Sequence, residues 1–417
     1  MSTRPLPSES TLAQLSTHGV PIETLADACR SCSAECSDDD DDDDAADAYP
    51  RGFDVDLETD MLGSFKGFGR QVVISTGKAD WDREVTDERD SLAQLVRDQY
   101  AERSAAAAAS STSTKPSFLD KLARKFSSSV TLDSSSTTTT TGPAPPGVHP
   151  SSAQAGPGRT AESPSSLSIL NSSFVSSSHE HDKESVMVFP DYKVVHDVEA
   201  NARDAAELVE RYLASENGRA GRRPAEVEGS RLKSWPLPYR AVILLCSHKK
   251  RDKRCSIAAP LLANQFHHHL ARHDLDVDVS GQDLESGPAI EDFEPSVTTT
   301  ERANLDDDDD DDDDDDSDKD EAEGGLETAL RATLERTSAT SDRVGVFLVS
   351  HIGGHRYAGN VVIHFPNGSA LYYGRVTPAD VGVIVDRTIM QGKVIPEFLR
   401  GGLGIDGKRG ARGILDW

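Results

Sequence analysis

The sequence predicts an α/β protein made of two units, and three observations support this fold class. Apolar runs that end in polar turns alternate with segments of helical periodicity, which is typical of α/β domains. Two pure aspartate runs, 38–44 and 306–316, and a Ser/Thr-rich stretch at 101–183 lack the apolar residues that a packed core needs. The remaining part of the 417 residues is long enough for two ordinary domains.

The smaller, N-terminal α/β unit is predicted at 50–214, interrupted by a disordered segment at 101–183. It follows a Cys/Asp-rich N-terminus, 1–49, which is expected to be disordered. Short apolar runs indicate its strands, and apolar residues at helical spacing indicate its helices. The predicted elements are strands at 71–75 and 186–190 and helices at 89–100 and 201–214.

The second unit is predicted at 239–399, after a linker at 215–238, with an acidic insertion at 280–325 and a C-terminal tail at 400–417. Residues 240–246 form a continuous apolar run, as expected for a central buried strand. The remaining predicted elements are strands at 275–279, 344–350, 360–365 and 370–373 and helices at 256–273, 326–334 and 378–390. The order β-α-β-α-β-β-α, with a late hairpin, predicts a thioredoxin-like domain.

Composition narrows the function classes. The net charge is −28, and an acidic surface disfavours nucleic acid as the main partner. No window approaches the roughly 18 apolar residues of a membrane helix, and the first residues lack a secretory or transit pattern. We therefore expect a cytoplasmic protein, and a nuclear location is the alternative. Five cysteines, an odd number, indicate metal ligation or redox chemistry rather than disulfides in such a compartment.

Four residues form a candidate metal site. Cys246 ends a predicted buried strand, and Cys255 follows after eight residues at the start of a predicted helix. His351 follows another buried strand, and His355 comes after two glycines that allow the backbone to bend. Thiolates and imidazoles suit zinc and iron–sulfur clusters. His-x3-His fits zinc spacing, whereas Cys-x8-Cys is longer than the usual zinc pair, so the residues alone leave both metals open.

The segments 246–260, 351–360 and 373–378 resemble the sucrase/ferredoxin-like family, one of the thioredoxin-like ferredoxins. The resemblance is strong over 239–390 and fragmentary in the N-terminal half, as at 79–81. It implies a [2Fe-2S] cluster bound by the four residues, with a thioredoxin-like ferredoxin domain in the C-terminal half. Two histidines in place of two cysteines make such a cluster less negative and easier to reduce.

This resemblance predicts an electron-transfer or redox-sensing protein rather than an enzyme with its own substrate. The alternative is a zinc-stabilised scaffold or adaptor protein linked to cortical actin organisation. A thiol–disulfide oxidoreductase is less compatible with the sequence, because such enzymes use Cys-x-x-Cys. The redox partner cannot be named from the sequence.

Six cations are predicted to surround the cluster or to dock a partner. Five lie in the loop between the two cysteines, and the resemblance alone suggests the sixth, in the segment 373–378. They are Lys249, Lys250, Arg251, Lys253, Arg254 and Arg375. The loop cations are compatible with stabilising thiolates and the reduced cluster, docking an acidic redox partner, contacting an acidic part of the same chain, or facing solvent.

Two further signals are less specific. The terminal Leu415-Asp416-Trp417 resembles the signal by which cytosolic iron–sulfur clients are recognised by the cytosolic assembly machinery, although a terminal tryptophan also packs on its own domain in some proteins. Cys29, Cys32 and Cys36 have no evident fourth ligand, so an inert or transient role is predicted for them.

Overall fold

The structure is a computed structural model that describes only part of the chain. The described residues are 5–30, 48–113, 144–151, 166–178, 182–214, 222–224, 227–285, 287–293, 317–407 and 410–416. The aspartate runs, Cys32, Cys36 and Trp417 lie outside these residues, and the side chain of Cys29 is also not described. Within the described residues, twelve strands form one mixed sheet.

The elements follow the chain in this order. The first half contains α1 (Glu9–Thr17), α2 (Leu25–Arg30), β1 (Arg70–Ser75), α3 (Leu92–Ser113), β2 (Val148–His149), β3 (Leu167–Ser172), β4 (Lys183–Phe189), β5 (Lys193–Glu199), α4 (Ala202–Leu208) with a π-helical continuation (Val209–Leu213), and β6 (Lys233–Pro236). The second half contains β7 (Ala241–Cys246), α5 (Lys253–Ala271), β8 (Asp276–Asp278), α6 (Ser317–Thr340), β9 (Arg343–Val349), β10 (Val361–His364), β11 (Ala370–Tyr373), α7 (Val381–Val383) between a 3-10 turn (Pro378–Asp380) and a π-helical turn (Ile384–Ile389), and β12 (Leu399–Leu403).

The two halves repeat one topology. In the N-terminal half, β1 is parallel to β3 and antiparallel to β4, which in turn pairs antiparallel with β5. In the C-terminal half, β7 is parallel to β9 and antiparallel to β10, which pairs antiparallel with β11. Each half therefore has the strand order 2-1-3-4 among these four strands, and a helix follows the fourth strand of each.

The halves are joined through their second strands, β3 and β9, which pair antiparallel. The hydrogen bonds at this junction are reciprocal. The amide of Asn171 donates to Oγ of Ser350, and the amide of Leu348 donates to Oγ of Ser173, each at 3.0 Å. The amides of Ser350 and Ser173 donate back to the carbonyls of Asn171 and Leu348, each at 2.9 Å. Contacts between equivalent positions are those of an approximate two-fold axis.

The faces of the two half sheets pack against each other. One apolar cluster contains residues of β1, β4 and β5 together with residues of β7, β9, β10 and β11. The rings of Phe189 and His364, which occupy equivalent ends of β4 and β10, stack with centroids 3.9 Å apart. Nε2 of His364 donates to Oε1 of Gln71 at 2.9 Å, so the buried ring is satisfied.

The helices cover the other faces of the sheet. In the N-terminal half, α3 and α4 pack on β1, β4 and β5. In the C-terminal half, α5 and the helical segment around α7 pack on β7, β10 and β11. No helix in the described ranges is both long and apolar enough to cross a membrane. The result is two sheet layers between two helical layers, each layer burying the apolar face of its neighbour.

The α/β fold class is confirmed, and the elements predicted for the second unit occur in the predicted order, whereas the thioredoxin-like assignment stays a prediction. The predicted tail, 400–417, is corrected, because β12 completes the sheet and Ile405, Ile414 and Leu415 are buried in the core. The sequence did not predict β12, because glycines are uncommon inside strands. A glycine is required at position 402, since a Cβ there would lie 2.6 Å from the carbonyl oxygen of Ala370 in the neighbouring strand.

Other boundaries also differ from the prediction. The region predicted to be disordered at 101–183 contains the end of α3, β2, β3 and the first residue of β4, and the predicted linker contains β6. The N-terminus contains α1 and α2, and Leu15 and Val20 of this region join the C-terminal core. The range predicted as the acidic insertion contains a 3-10 turn (Ile290–Asp292) and the start of α6. Leu15, Val20, Val148 and Leu170 of these segments are buried in apolar clusters with residues elsewhere in the chain, and this packing stabilises segments whose own composition is polar.

The reciprocal junction makes a testable prediction. We expect Ser350→Ala and Ser173→Ala each to lower the free energy of unfolding by about 1–3 kcal/mol, because each change removes the acceptor of an amide at the junction. Urea denaturation of the two single variants measures this. A change of less than about 0.5 kcal/mol in both variants would show that the side-chain bonds do not hold the halves together.

Candidate metal centre

The pairing of β7 with β9 brings the first cysteine and the first histidine together. The two strands are parallel, and Cys246 lies opposite Val349 in their register. His351 follows Val349 by two residues. Since parallel strands present their carboxyl ends at one edge of a sheet, both side chains reach the same edge.

The start of α5 supplies the second cysteine. Asp252 caps this helix, its side chain accepting from the amide of Arg254 at 2.9 Å, and Cys255 therefore lies in the first turn. Both thiols are almost fully buried, with 3% of Cys246 and 1% of Cys255 exposed. A hydrogen bond from Cys255 lowers the pKa of Cys246, and the same bond with burial raises the pKa of Cys255. Cys246 is thus the thiol that ionises first.

A glycine-bent loop places the second histidine. Gly353 and Gly354 have φ of +80° and +68°, and a 3-10 turn begins at His355. The rings of His351 and His355 have centroids 5.5 Å apart. Burial and the neighbouring His351 lower the pKa of His355, so its ring is neutral near pH 7, the form that binds metal.

The four predicted ligands converge on one edge of the sheet. The Cys246 thiol contacts both Cys255 and the His351 imidazole. Nδ1 of His351 is buried and has no hydrogen-bond partner among the described residues. No group of three or more Cys, His, Asp or Glu side chains in those residues is arranged to hold a metal ion. Two buried thiols, a neutral histidine and a buried ring nitrogen without a partner are nevertheless the donor set that a bis-Cys, bis-His group requires.

The loop between the cysteines is bound to the N-terminal half. Oγ of Ser247 donates to the carbonyl of Ala79 at 2.8 Å, and Nε2 of the buried His248 donates to the carbonyl of Trp81 at 3.0 Å. Two ion pairs add to this contact. They join Lys250 to Asp82 at 2.5 Å and Arg251 to Glu84 at 2.6 Å. An acidic segment of the same chain thus contacts the basic loop, and it lies at 80–84 rather than in an aspartate run.

The other predicted cations lie in different settings. Arg254 forms an ion pair with Asp252 at 2.7 Å, and its charge favours the thiolate of Cys255. Lys249 and Lys253 are exposed. Arg375 is buried and donates to the carbonyls of Asp56 and Thr59, with its guanidinium over the ring of Tyr357, 5.0 Å from the centroid. It therefore fastens the segment 56–59 beside the histidine loop.

A buried arginine beside the site was missed by the sequence analysis. Arg400 lies on β12 with 2% of its surface exposed. It donates to the carbonyl of Gly353 at 3.2 Å and to Oδ1 of Asn360 at 2.7 Å. No local sequence pattern indicates that Arg400 contacts the histidine loop, because it lies 45 residues beyond His355 in a segment predicted to be a tail.

The predicted assembly signal is partly buried. Leu415 is 2% exposed and belongs to the C-terminal core, and Asp416 forms an ion pair with Arg412 at 3.1 Å. The role of this segment stays a prediction.

Comparison with known proteins identifies relatives of the chain. A family model described as sucrase/ferredoxin-like matches residues 61–401. The relatives include altered inheritance of mitochondria protein 32 of Debaryomyces hansenii, 26% identical over 243 residues, covering 52% of this chain and 60% of the relative. The protein of the same name from Clavispora lusitaniae is 29% identical over 163 residues, covering 39% of this chain and 35% of the relative.

Another relative is actin patches distal protein 1 of Saccharomyces cerevisiae, 30% identical over 152 residues, covering 36% of this chain and 30% of the relative. The chain thus spans between 30% and 60% of the length of these three relatives. No solved structure matches the chain significantly.

The histidine loop makes the second testable prediction. An ideal Cβ on Gly354 would lie 2.3 Å from Nη2 of Arg400, whereas one on Gly353 would lie 4.0 Å away. Both positions have positive φ, so alanine strains the backbone by about 1 kcal/mol at either. We expect Gly354→Ala to lower the unfolding free energy by at least about 1 kcal/mol more than the matched control Gly353→Ala. Equal losses in urea denaturation would show that Arg400 does not pack against the loop.

Proposed function

Because the chain belongs to the sucrase/ferredoxin-like family, we propose that Cys246, Cys255, His351 and His355 hold a [2Fe-2S] cluster and that the protein transfers or senses electrons. The observation that carries this proposal is the convergence of two buried thiols and two imidazoles at the carboxyl ends of β7 and β9. A [2Fe-2S] cluster bound in this way supplies a one-electron acceptor of comparatively high potential.

The chain's own residues support this chemistry. The low pKa of Cys246 provides a thiolate, the form of cysteine that binds metal. The first turn of α5 and Arg254 place positive charge beside Cys255, which partly opposes the rise of its pKa caused by the hydrogen bond with Cys246 and by burial. Burial of both sulfurs keeps bulk water away from them. The two imidazoles complete the set without adding negative charge.

Among the four candidate ligands, His355 is exposed, whereas both cysteines are buried. The loop between the cysteines is hydrogen-bonded to the segment 79–84. An electron donor or acceptor therefore approaches closest at the imidazole of His355. The ion pairs of Lys250 and Arg251 favour an internal role for these cations and leave the exposed Lys249 and Lys253 for contact with a partner.

The second candidate function is a zinc-stabilised scaffold or adaptor protein. The same four residues would then bind zinc. The name of one relative, actin patches distal protein 1, refers to actin patches. The predicted association with the iron–sulfur assembly machinery through Leu415, Asp416 and Trp417 depends on the cluster and is not compatible with a zinc protein. The cytoplasmic location also stays a prediction, and the name of the other relatives refers to inheritance of mitochondria.

The absorption spectrum and metal content of the purified full chain test the proposed function. We expect a red-brown protein with about two irons per chain. Cys246→Ala and His355→Ala are expected to bleach or shift the visible bands, because each removes a ligand. His267→Ala, which changes an exposed histidine of α5, is the matched control and is expected to leave the spectrum unchanged.

A colourless protein with one zinc per chain would contradict the redox function and favour the scaffold. Iron that is retained at wild-type level in both ligand variants would show that the cluster lies elsewhere.

A further inference from the structure

Arg400 is a buried cation with neutral hydrogen-bond partners. It donates to Oγ of Ser64, to the carbonyl of Gly353 and to Oδ1 of Asn360. Within the described ranges, no carboxylate lies within ion-pair distance of its guanidinium, in contrast to the buried Arg211, which pairs with Glu207 at 3.1 Å. A buried charge without a counter-charge is costly, so negative charge placed beside Arg400 would be favourable.

The thiols of the candidate site are among the groups near Arg400. Burial lowers the pKa of Arg400, and the opposing, favourable charges come from two tyrosines, Tyr372 and Tyr357, and from Cys246 and Cys255. Tyr372 is itself fully buried, and burial raises its pKa above the ordinary value, so it stays neutral near pH 7. The two candidate sulfur ligands, Cys246 and Cys255, thus lie within electrostatic range of the guanidinium.

Hydrogen bonds also connect Arg400 to both ligand loops. The carbonyl of Gly353 binds it directly to the histidine loop. Asn360, its second acceptor, donates through Nδ2 to the carbonyl of Gly354 at 3.1 Å and accepts from the amide of Cys246 at 3.3 Å. Arg400 thus fixes the relative position of a cysteine and of the loop that bears both histidines.

We propose that Arg400 is the positioning residue and counter-charge of the metal group, and that its positive charge raises the group's reduction potential. This inference rests on the proposed [2Fe-2S] cluster. Reduction adds one electron from a one-electron donor and changes the formal charge from zero to −1 with two neutral imidazoles, while no bond is broken. A guanidinium beside the sulfur ligands favours the more negative state.

A redox titration of the purified full chain with dithionite, followed by visible absorption, tests this role. At the potential where the wild type is half reduced, we expect Arg400→Gln to lower the ratio of reduced to oxidised cluster by about tenfold or more. Arg400→Lys keeps the charge and is expected to stay within about threefold of the wild type. Arg211→Gln removes another buried arginine that lies over a tyrosine ring, and it is the matched control, with no expected change.

Asn360→Asp provides a test that removes no buried arginine. Its carboxylate would neutralise Arg400 in place, and we expect the same direction of change as for Arg400→Gln. If Arg400→Gln does not fold or loses its iron, the ratio of reduced to oxidised cluster in Asn360→Asp tests the effect of the Arg400 charge instead.

The outcomes separate this inference from the proposed function. A wild-type protein without cluster absorption would overturn the proposed function itself. A wild type with a full cluster, beside Arg400→Gln and Asn360→Asp variants that keep both the iron and the wild-type ratio, would overturn the role of Arg400 alone. An equal decrease in the Arg211→Gln control would also overturn it, because the effect would then be a general consequence of destabilisation.

Discussion

The parallel pairing of β7 with β9 is the constraint on which the candidate site depends. Its register places Cys246 opposite Val349, and the two loops that carry the ligands begin at the same edge. A slip of one residue would turn the side chain of Cys246 to the opposite face of the sheet, away from His351. The continuous apolar sequence of both strands, buried on both faces, prevents such a slip by the loss of core packing that it would cause.

The approximate two-fold axis relates the half that contains the candidate ligands to the half that binds the loop between the cysteines. Ser75 ends β1 as Cys246 ends β7, and Phe174 follows β3 as His351 follows β9. The N-terminal half therefore has the frame of the site without its ligands. Its segment 79–84 instead accepts hydrogen bonds and ion pairs from the loop between the cysteines. The half without a site thus holds the loop between the two cysteines.

The sequence predicted the strands and ligands whose signals are local. Apolar runs located β7 and β9, and residue spacing with family resemblance selected four candidate ligands. The structure places Cys246 beside Cys255 and His351, and the ring centroid of His355 lies 5.5 Å from that of His351. The sequence did not predict Arg400, because a buried arginine is recognised only by what surrounds it, and its neighbours Asn360 and Gly353 are distant in sequence. The strand β3 was also missed, since its Ser and Asn residues read as low complexity until β1 and β9 pair with it.

The repeated topology determines where the chain accepts insertions. Two of its three low-complexity segments fall in equivalent crossover connections, one between α3 and β3 and the other between α5 and β9. A connection between parallel strands must already pass over one face of the sheet, and doubling its length costs only about 0.6 kcal/mol of closure entropy. Evolution is therefore free to lengthen either crossover independently, while strand register keeps the ligand geometry constant.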